Sequence, residues 1–415
     1  MIRRTAAYVL LVCVYGLAWL IATIGRAIPR RVWKPTGRLM ITGTFHNPNW
    51  YLSHITPLSR SGVEEVIVVT DEPQVSLDRV RFVCWPGWLS KVLSRVGARA
   101  VTMVFAGLRY RPDLYMGYHL GPGACTALMA GKSMGRPVCY QMTGGPVEII
   151  GGGIYAADGI GTALGQPSKL IEAMALAVVK QFDLVVVRGS KAKGFLGAHG
   201  IERSVAVITG SVNSHLSCGD TVRDIDLILV GRLVPVKQVH QFIAIVNAVA
   251  QTIADVRAIV VGDGPLKAEL QSMVVQLGLT DNLEFVGQRK DVDALLARSR
   301  IFMLTSRSEG LSIAMAEAMS AGAVPVVADV GELRDLVTDG VNGYLIEPNN
   351  LEQYASKALF LLQDDSLWDC YSQKAVERVR QACTIEAVSR KWGQQIRRVI
   401  SRMQGEEHVT SGKTQ

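Results

Sequence analysis

Cysteine is sparse and scattered. The chain holds seven, with no Cys-x-x-Cys pair, which argues against a zinc site and a disulfide framework and suits a reducing compartment. No complete phosphate loop is present. Ala130-Gly131-Lys132-Ser133 imitates the end of one, but Thr126 stands where the earlier glycine is needed, and the run ends a predicted helix instead of opening it. Gly121-Pro122-Gly123 falls short of a dinucleotide fingerprint at the same residue, because Thr126 occupies the third glycine position. Acidic residues are missing from the amino end, where Arg3, Arg4, Arg26, Arg30, Arg31 and Lys34 precede residue 37 with no acid among them. Those six leave only +2 of the net +8 for the remainder. The basic balance therefore describes a membrane-facing amino end and predicts no nucleic-acid partner.

What is present is enough chain for two α/β domains: 415 residues, 49% of them apolar. Ala6 to Ile24 runs nineteen residues without a charge, just long enough for a spanning helix, which needs about 20. Gly25-Arg26-Ala27-Ile28-Pro29-Arg30-Arg31 is a poor signal-peptidase site. The heavier positive cluster after the run places the rest of the chain in the cytoplasm. An in-plane interfacial or buried helix is the alternative to a span; membrane attachment is expected in either case, through residues 1–36.

A first domain, 37–214, follows in a strand–helix rhythm. Strands are predicted at 37–44, 66–70, 80–84, 113–118, 137–142, 183–187 and 205–208. Loops after such strands are where open α/β sheets hold ligands, which singles out His46 and Asn47, His119, and Thr143-Gly144 as acceptor-side candidates. A helix within 87–105 lies near Trp85, Trp88, Lys91, Arg95 and Arg99. Such a face can lie on a membrane, or be a solvated face with its aromatics in the core. The glycines at 151–153 suggest a mobile loop closing over a substrate. The turn-rich stretch 210–221 reads as a hinge. The second domain, 215–380, repeats the rhythm with strands at 226–230, 257–261, 283–286 and 301–304. A helix over 381–403 has amphipathic spacing, and 404–415 is expected to be disordered.

The chain is organised around Thr305 to Pro325. An apolar strand precedes it, and Ile313 to Ala321 is rich in good helix formers. Glu309, Gly310 and Leu311 therefore fall on a strand-to-helix turn, where free N–H groups and the helix dipole favour a phosphate. Glu317, eight residues beyond Glu309, lies in an apolar stretch and needs a partner. This stretch resembles the Glu-x7-Glu motif of retaining GT-B glycosyltransferases of family 4, and Gly231-Arg232-Leu233-Val234-Pro235-Val236-Lys237 resembles that family's Arg and Lys pair.

The resemblance implies a GT-B fold: two Rossmann-like, doubly wound parallel-sheet domains facing a cleft, here with an N-terminal hydrophobic anchor helix, and a last helix that crosses back to the first domain. It implies that Glu309 faces the transferred sugar, that the amides of Gly310, Leu311 and Ser312 hold a diphosphate, and that Glu317 holds the ribose. Arg232 and Lys237 would stabilise the departing diphosphate, with Gly231, Gly262, Gly287 and Gln288 completing the donor site. No cofactor is expected, and no metal, since Asp224-Ile225-Asp226 and Asp291-Val292-Asp293 read as helix or strand surface. One departure from the family is Thr143-Gly144, where many members read His-Gly. The expected partners are a nucleotide-sugar donor and a lipid-linked or envelope-glycan acceptor. Two other readings compete: a catalytically silent GT-B module that organises a membrane complex, and a nucleotide-sugar epimerase of related fold.

Overall fold

The computed structural model describes residues 2–27, 35–45, 48–156, 160–212 and 221–404. His46, Asn47 and most of the predicted hinge lie outside the described residues, as do Arg30, Arg31, Lys34 and residues 405–415. The chain divides into two compact units, Met1–Thr209 with Val388–Gln415, and Gly210–Ala387.

The first unit opens with α1 (Ile2–Ala27), β1 (Arg38–Thr42), α2 (Pro48–Ser59), β2 (Glu65–Thr70) and β3 (Val80–Cys84). It continues with α3 (Gly87–Tyr110), β4 (Leu114–Tyr118), α4 (Cys125–Ser133), β5 (Val138–Met142) and α5 (Lys169–Val179). The strands β6 (Leu184–Val187) and β7 (Val205–Val207), with α6 (Ser190–Ala198) between them, complete it. All seven strands are parallel, in the order β3-β2-β1-β4-β5-β6-β7. Alternation along them serves two cores. Met40, Ile67, Tyr115, Tyr140 and Val185 face one, shared with α1, α3, α4 and α5. Ile41, Val68, Met116 and Val186 face the other, shared with α2 and with Trp392, Ile396 and Val399.

The second unit runs β8 (Ile225–Val230), α7 (Val239–Ala250), β9 (Ala258–Val261), α8 (Lys267–Gln276), β10 (Leu283–Gly287) and α9 (Val292–Ala297). Then come β11 (Ser299–Leu304), α10 (Ile313–Ser320), β12 (Val324–Ala328), β13 (Tyr344–Ile346), α11 (Leu351–Leu362) and α12 (Asp365–Ala382). Its six parallel strands take the order β10-β9-β8-β11-β12-β13, with helices packed on both faces. The last helix, α13 (Ile385–Gln404), belongs to the first unit from Val388 on.

Two details of the first unit bear on function. Helix α1 is long and apolar enough to cross a membrane, yet it lies packed in the unit. Ala7, Leu11, Tyr15, Ala18 and Ala22 are buried, a spacing of three and four that makes one helical face, and that face packs on α4 and α5. The glycines at 151–153 do not form a loose loop. All three are buried, and Gly151 N–H donates to Glu172 Oε2 at 2.7 Å while Gly152 N–H donates to Ile149 O at 2.9 Å. A Cβ on Gly152 would press on Ile171 and Leu164, so these glycines serve close packing.

Candidate functional site

In the second unit the loops at the carboxyl ends of the strands are pressed together by glycine. Gly231 follows β8 and its N–H bonds Val261 O at 2.9 Å; Gly262 follows β9 and its N–H bonds Gly287 O at 2.8 Å. A side chain on Gly262, at φ +140°, would collide with the Gly231 carbonyl oxygen, so the position admits no other residue without moving both loops. Gly287 sits at φ +69° at the end of β10, and Gln288 beside it is exposed.

The loop from Gly231 to Gln238 is pinned to the end of β11. Thr305 Oγ1 donates to Lys237 O and Gln238 O at 3.2 and 3.1 Å, and Arg307 N–H donates to Val236 O at 2.9 Å. That anchoring sets Lys237 Nζ 2.6 Å from Glu309 Oε1, an ion pair with both side chains largely buried. Glu309 is braced from behind, because Gly331 lies so close to its carbonyl oxygen that a Cβ there would overlap it. Arg232 is exposed and pairs with no described residue.

Ser312 caps α10: its side chain accepts from Met315 N–H at 3.2 Å. The amides of Gly310, Leu311 and Ser312 donate to nothing among the described residues. They form, with the start of the helix, an arrangement suited to an anion. Glu317 lies about one turn into α10, half-buried and without a hydrogen-bond partner for its side chain among the described residues. Burial, assisted by the nearby Asp293 charge, pushes its carboxyl up to about 7. The Asp-x-Asp runs are otherwise engaged. Asp224 forms a two-armed ion pair with Arg298, Asp226 accepts from Arg257 N–H, and Asp291 pairs with Arg289.

The first unit has its own polar cluster at the ends of β4 and β5. His119 Nδ1 lies 3.3 Å from Glu148 Oε1, and Thr143 Oγ1 lies 3.1 Å from the same nitrogen. Glu148 also accepts from Gly144 N–H at 2.6 Å, Leu120 N–H at 3.1 Å and Tyr140 OH at 2.8 Å. Burial alone would raise this carboxyl, but the His119 charge and the hydrogen bonds from His119, Gly144 and Tyr140 outweigh it and hold it below the usual range. Trp50 stacks on His54 at 4.3 Å and on His119 at 6.2 Å between ring centroids. A small cavity beside Glu148 is walled by Leu11 and Tyr15 of α1 and by Gly121, Gly152 and Gly161.

The structure thus brings Lys237 and Glu309 together, and His119, Thr143 and Gly144 together. Sequence reasoning missed Glu148, Tyr140 and Trp50. The available signal was a carboxylate two residues after the turn Thr143-Gly144-Gly145-Pro146, which in sequence reads as an ordinary surface charge.

Residues 221–381 match the family model described as glycosyl transferases group 1. The N-acetyl-alpha-D-glucosaminyl L-malate synthase of Bacillus anthracis is 31% identical over 137 residues, covering 32% of this chain and 36% of that protein. The UDP-Gal:alpha-D-GlcNAc-diphosphoundecaprenol alpha-1,3-galactosyltransferase of Escherichia coli is 29% identical over 154 residues, covering 36% of this chain and 40% of that protein. The chain spans roughly a third or less of the length of the first curated relatives it matches. Among solved structures, Anabaena HepE in complex with UDP aligns with a TM-score of 0.67 at 19% identity, over 88% of this chain and 100% of that one. The architecture is accordingly GT-B.

Proposed function

We propose that this chain, whose residues 221–381 match the model of the glycosyl transferases group 1 family, moves a sugar from a nucleotide-sugar donor to a lipid-linked or cell-envelope glycan acceptor at a membrane. The observation that carries this reading is the 2.6 Å pair of Lys237 with Glu309, set beside the unengaged amides of Gly310 to Ser312 and the unpaired Arg232. A diphosphate is the ligand those cations and amides suit, and a sugar attached to it is what a carboxylate beside them would meet.

In the reaction, the bond between the anomeric carbon and the diphosphate oxygen breaks, and its electron pair stays on the phosphate. Arg232 and Lys237 stabilise that growing charge. Binding of the diphosphate draws Lys237 from Glu309 toward the phosphate and leaves the Glu309 carboxylate to act on the positive character of the sugar ring. The acceptor oxygen bonds the anomeric carbon on the face the phosphate leaves, and its proton passes to a phosphate oxygen, so configuration is retained. Fixed cations take the place of a metal ion. Glu317, unpartnered and half-buried, accepts hydrogen bonds from the ribose. His119, held by Glu148, and Thr143 serve the acceptor side. The alpha-linked product named for the E. coli relative favours retention, and its diphosphoundecaprenol acceptor favours a lipid carrier.

The test is a panel of nucleotide sugars, UDP-sugars first, scored by thermal shift and then by radiolabel transfer into lipid extracts, with chelator present. Transfer from one donor into the lipid fraction is expected. A protein that binds no nucleotide sugar, or needs Mg²⁺ or Mn²⁺ to turn over, sinks the reading.

A further inference from the structure

We infer that the outer faces of α1 and α3 together form one docking surface for an anionic phospholipid bilayer, with α1 lying in the plane of the membrane instead of crossing it. This deepens the membrane attachment in the reading above and rests on it.

Both helices pack against α4 in the first unit. The face of α1 opposite its buried stripe exposes Leu17, Leu20 and Ile24, between 49 and 56% accessible. Helix α3 bends at Ser94, where φ is +62°, and so presents two apolar steps. Trp88 and Val92 are exposed before the bend; Phe105 and Leu108, at 69 and 62%, after it. Lone exposed apolar residues need no explanation, but ones repeated at helical spacing on two helices of one unit do. Two of the residues that sequence alone leaves ambiguous turn inward: Trp85 is buried, and the Arg99 guanidinium lies over its ring and donates to Gly43 O at 3.3 Å. Trp88, Lys91 and Arg95 stay outside.

Charge selects the occupant. Neither helix contains an aspartate or glutamate, and together they carry six arginines and lysines besides the inward-turned Arg99. Apolar side chains interleaved with cations and free of acids suit a surface of anionic headgroups. The packing of α1 selects the orientation. For α1 to span a bilayer, the stripe from Ala7 to Ala22 would have to leave the unit. The surfaces of α4 and α5 beneath it, where Gly25 lies against Lys132 and Gly16 near Met174, would then be uncovered to water.

The experiment is flotation of the purified full chain with vesicles of phosphatidylcholine, with and without phosphatidylglycerol. Binding to the mixed vesicles, weakened by high salt, is expected. Phe105→Glu combined with Leu108→Glu should lower the partition coefficient roughly tenfold or more, since each lost apolar burial is a large term. Val222→Glu, at an exposed apolar residue of the second unit, should leave partitioning unchanged. Melting temperatures establish that the variants fold, and flotation needs neither donor nor turnover, so it can fail or succeed separately from the glycosyl-transfer reading. Undiminished binding of the α3 double variant overturns the proposal, as does equal binding to pure phosphatidylcholine. A solution dimer dispersed by the same substitutions without lipid also overturns it, in favour of a second copy of the chain.

Discussion

Each unit holds a carboxylate against a nitrogen base, and the two are built differently. Glu148 receives four donors, from His119, Leu120, Tyr140 and Gly144. Glu309 receives one among the described residues, from Lys237. A carboxylate with four partners has no capacity left for a ligand and fixes the backbone around it. A carboxylate with a single flexible partner gives that partner up when a stronger anion arrives. On the proposed reading, the same residue type is a fastener in one unit and a working group in the other.

The sharpest way to break that contrast is Glu309→Gln. We expect turnover to fall by about a hundredfold or more, the scale of losing one group aimed at transition-state charge. Nucleotide affinity should hold or improve, because Lys237 is released from its pair. Calorimetry beside initial rates decides; normal turnover at saturation would put Glu309 among the fasteners. Arg232→Ala comes next. A charged hydrogen bond lost from the diphosphate is worth roughly 1.5–3 kcal/mol, so affinity and turnover should both drop by ten- to a hundredfold.

Glu317→Gln sharpens the comparison through pH. With the folded carboxyl at about 7 and the unfolded one at its ordinary value, the folded state binds the extra proton between the two. Stability then falls as pH rises from about 4.5 to about 7 and is flat above. The glutamine should remove that slope and melt higher than the parent at pH 8, while binding nucleotide roughly 1–3 kcal/mol more weakly. Unchanged nucleotide affinity would end the ribose assignment. For Glu148→Gln no effect on nucleotide affinity is expected, only a stability loss of roughly 1–3 kcal/mol read as a lower melting temperature at pH 7. Its carboxyl is held low, so its contribution is complete above the unfolded value and fades as pH drops through the folded one. The parent and the glutamine variant should therefore converge in acid.

The second unit was largely legible in sequence because its chemistry is local. Strand, turn and helix from Ser299 to Ser320 form a continuous run, read from a short apolar stretch followed by good helix formers. The Lys237–Glu309 pair was not legible as a contact, since it depends on Thr305 and Arg307 clamping a loop about seventy residues earlier. The first unit was harder. Glu148 has meaning only once β4 and β5 are neighbours, and their pairing is long-range. The glycines at 151–153 were misread because a glycine needed for close packing and one needed for motion look alike in sequence. Apolar composition in α1 likewise could not separate a helix made for lipid on all sides from one that gives a stripe to its own domain.

That stripe has a consequence for synthesis. Helix α1 leaves the ribosome well before the helices it packs on, α4 and α5, which end at residues 133 and 179. At ordinary elongation rates that interval is on the order of 10 s. Throughout it, a long apolar helix has no partner of its own chain to cover it. Whatever receives the nascent segment in that time, a targeting factor or the bilayer itself, meets both of its faces before the rest of the unit can claim one.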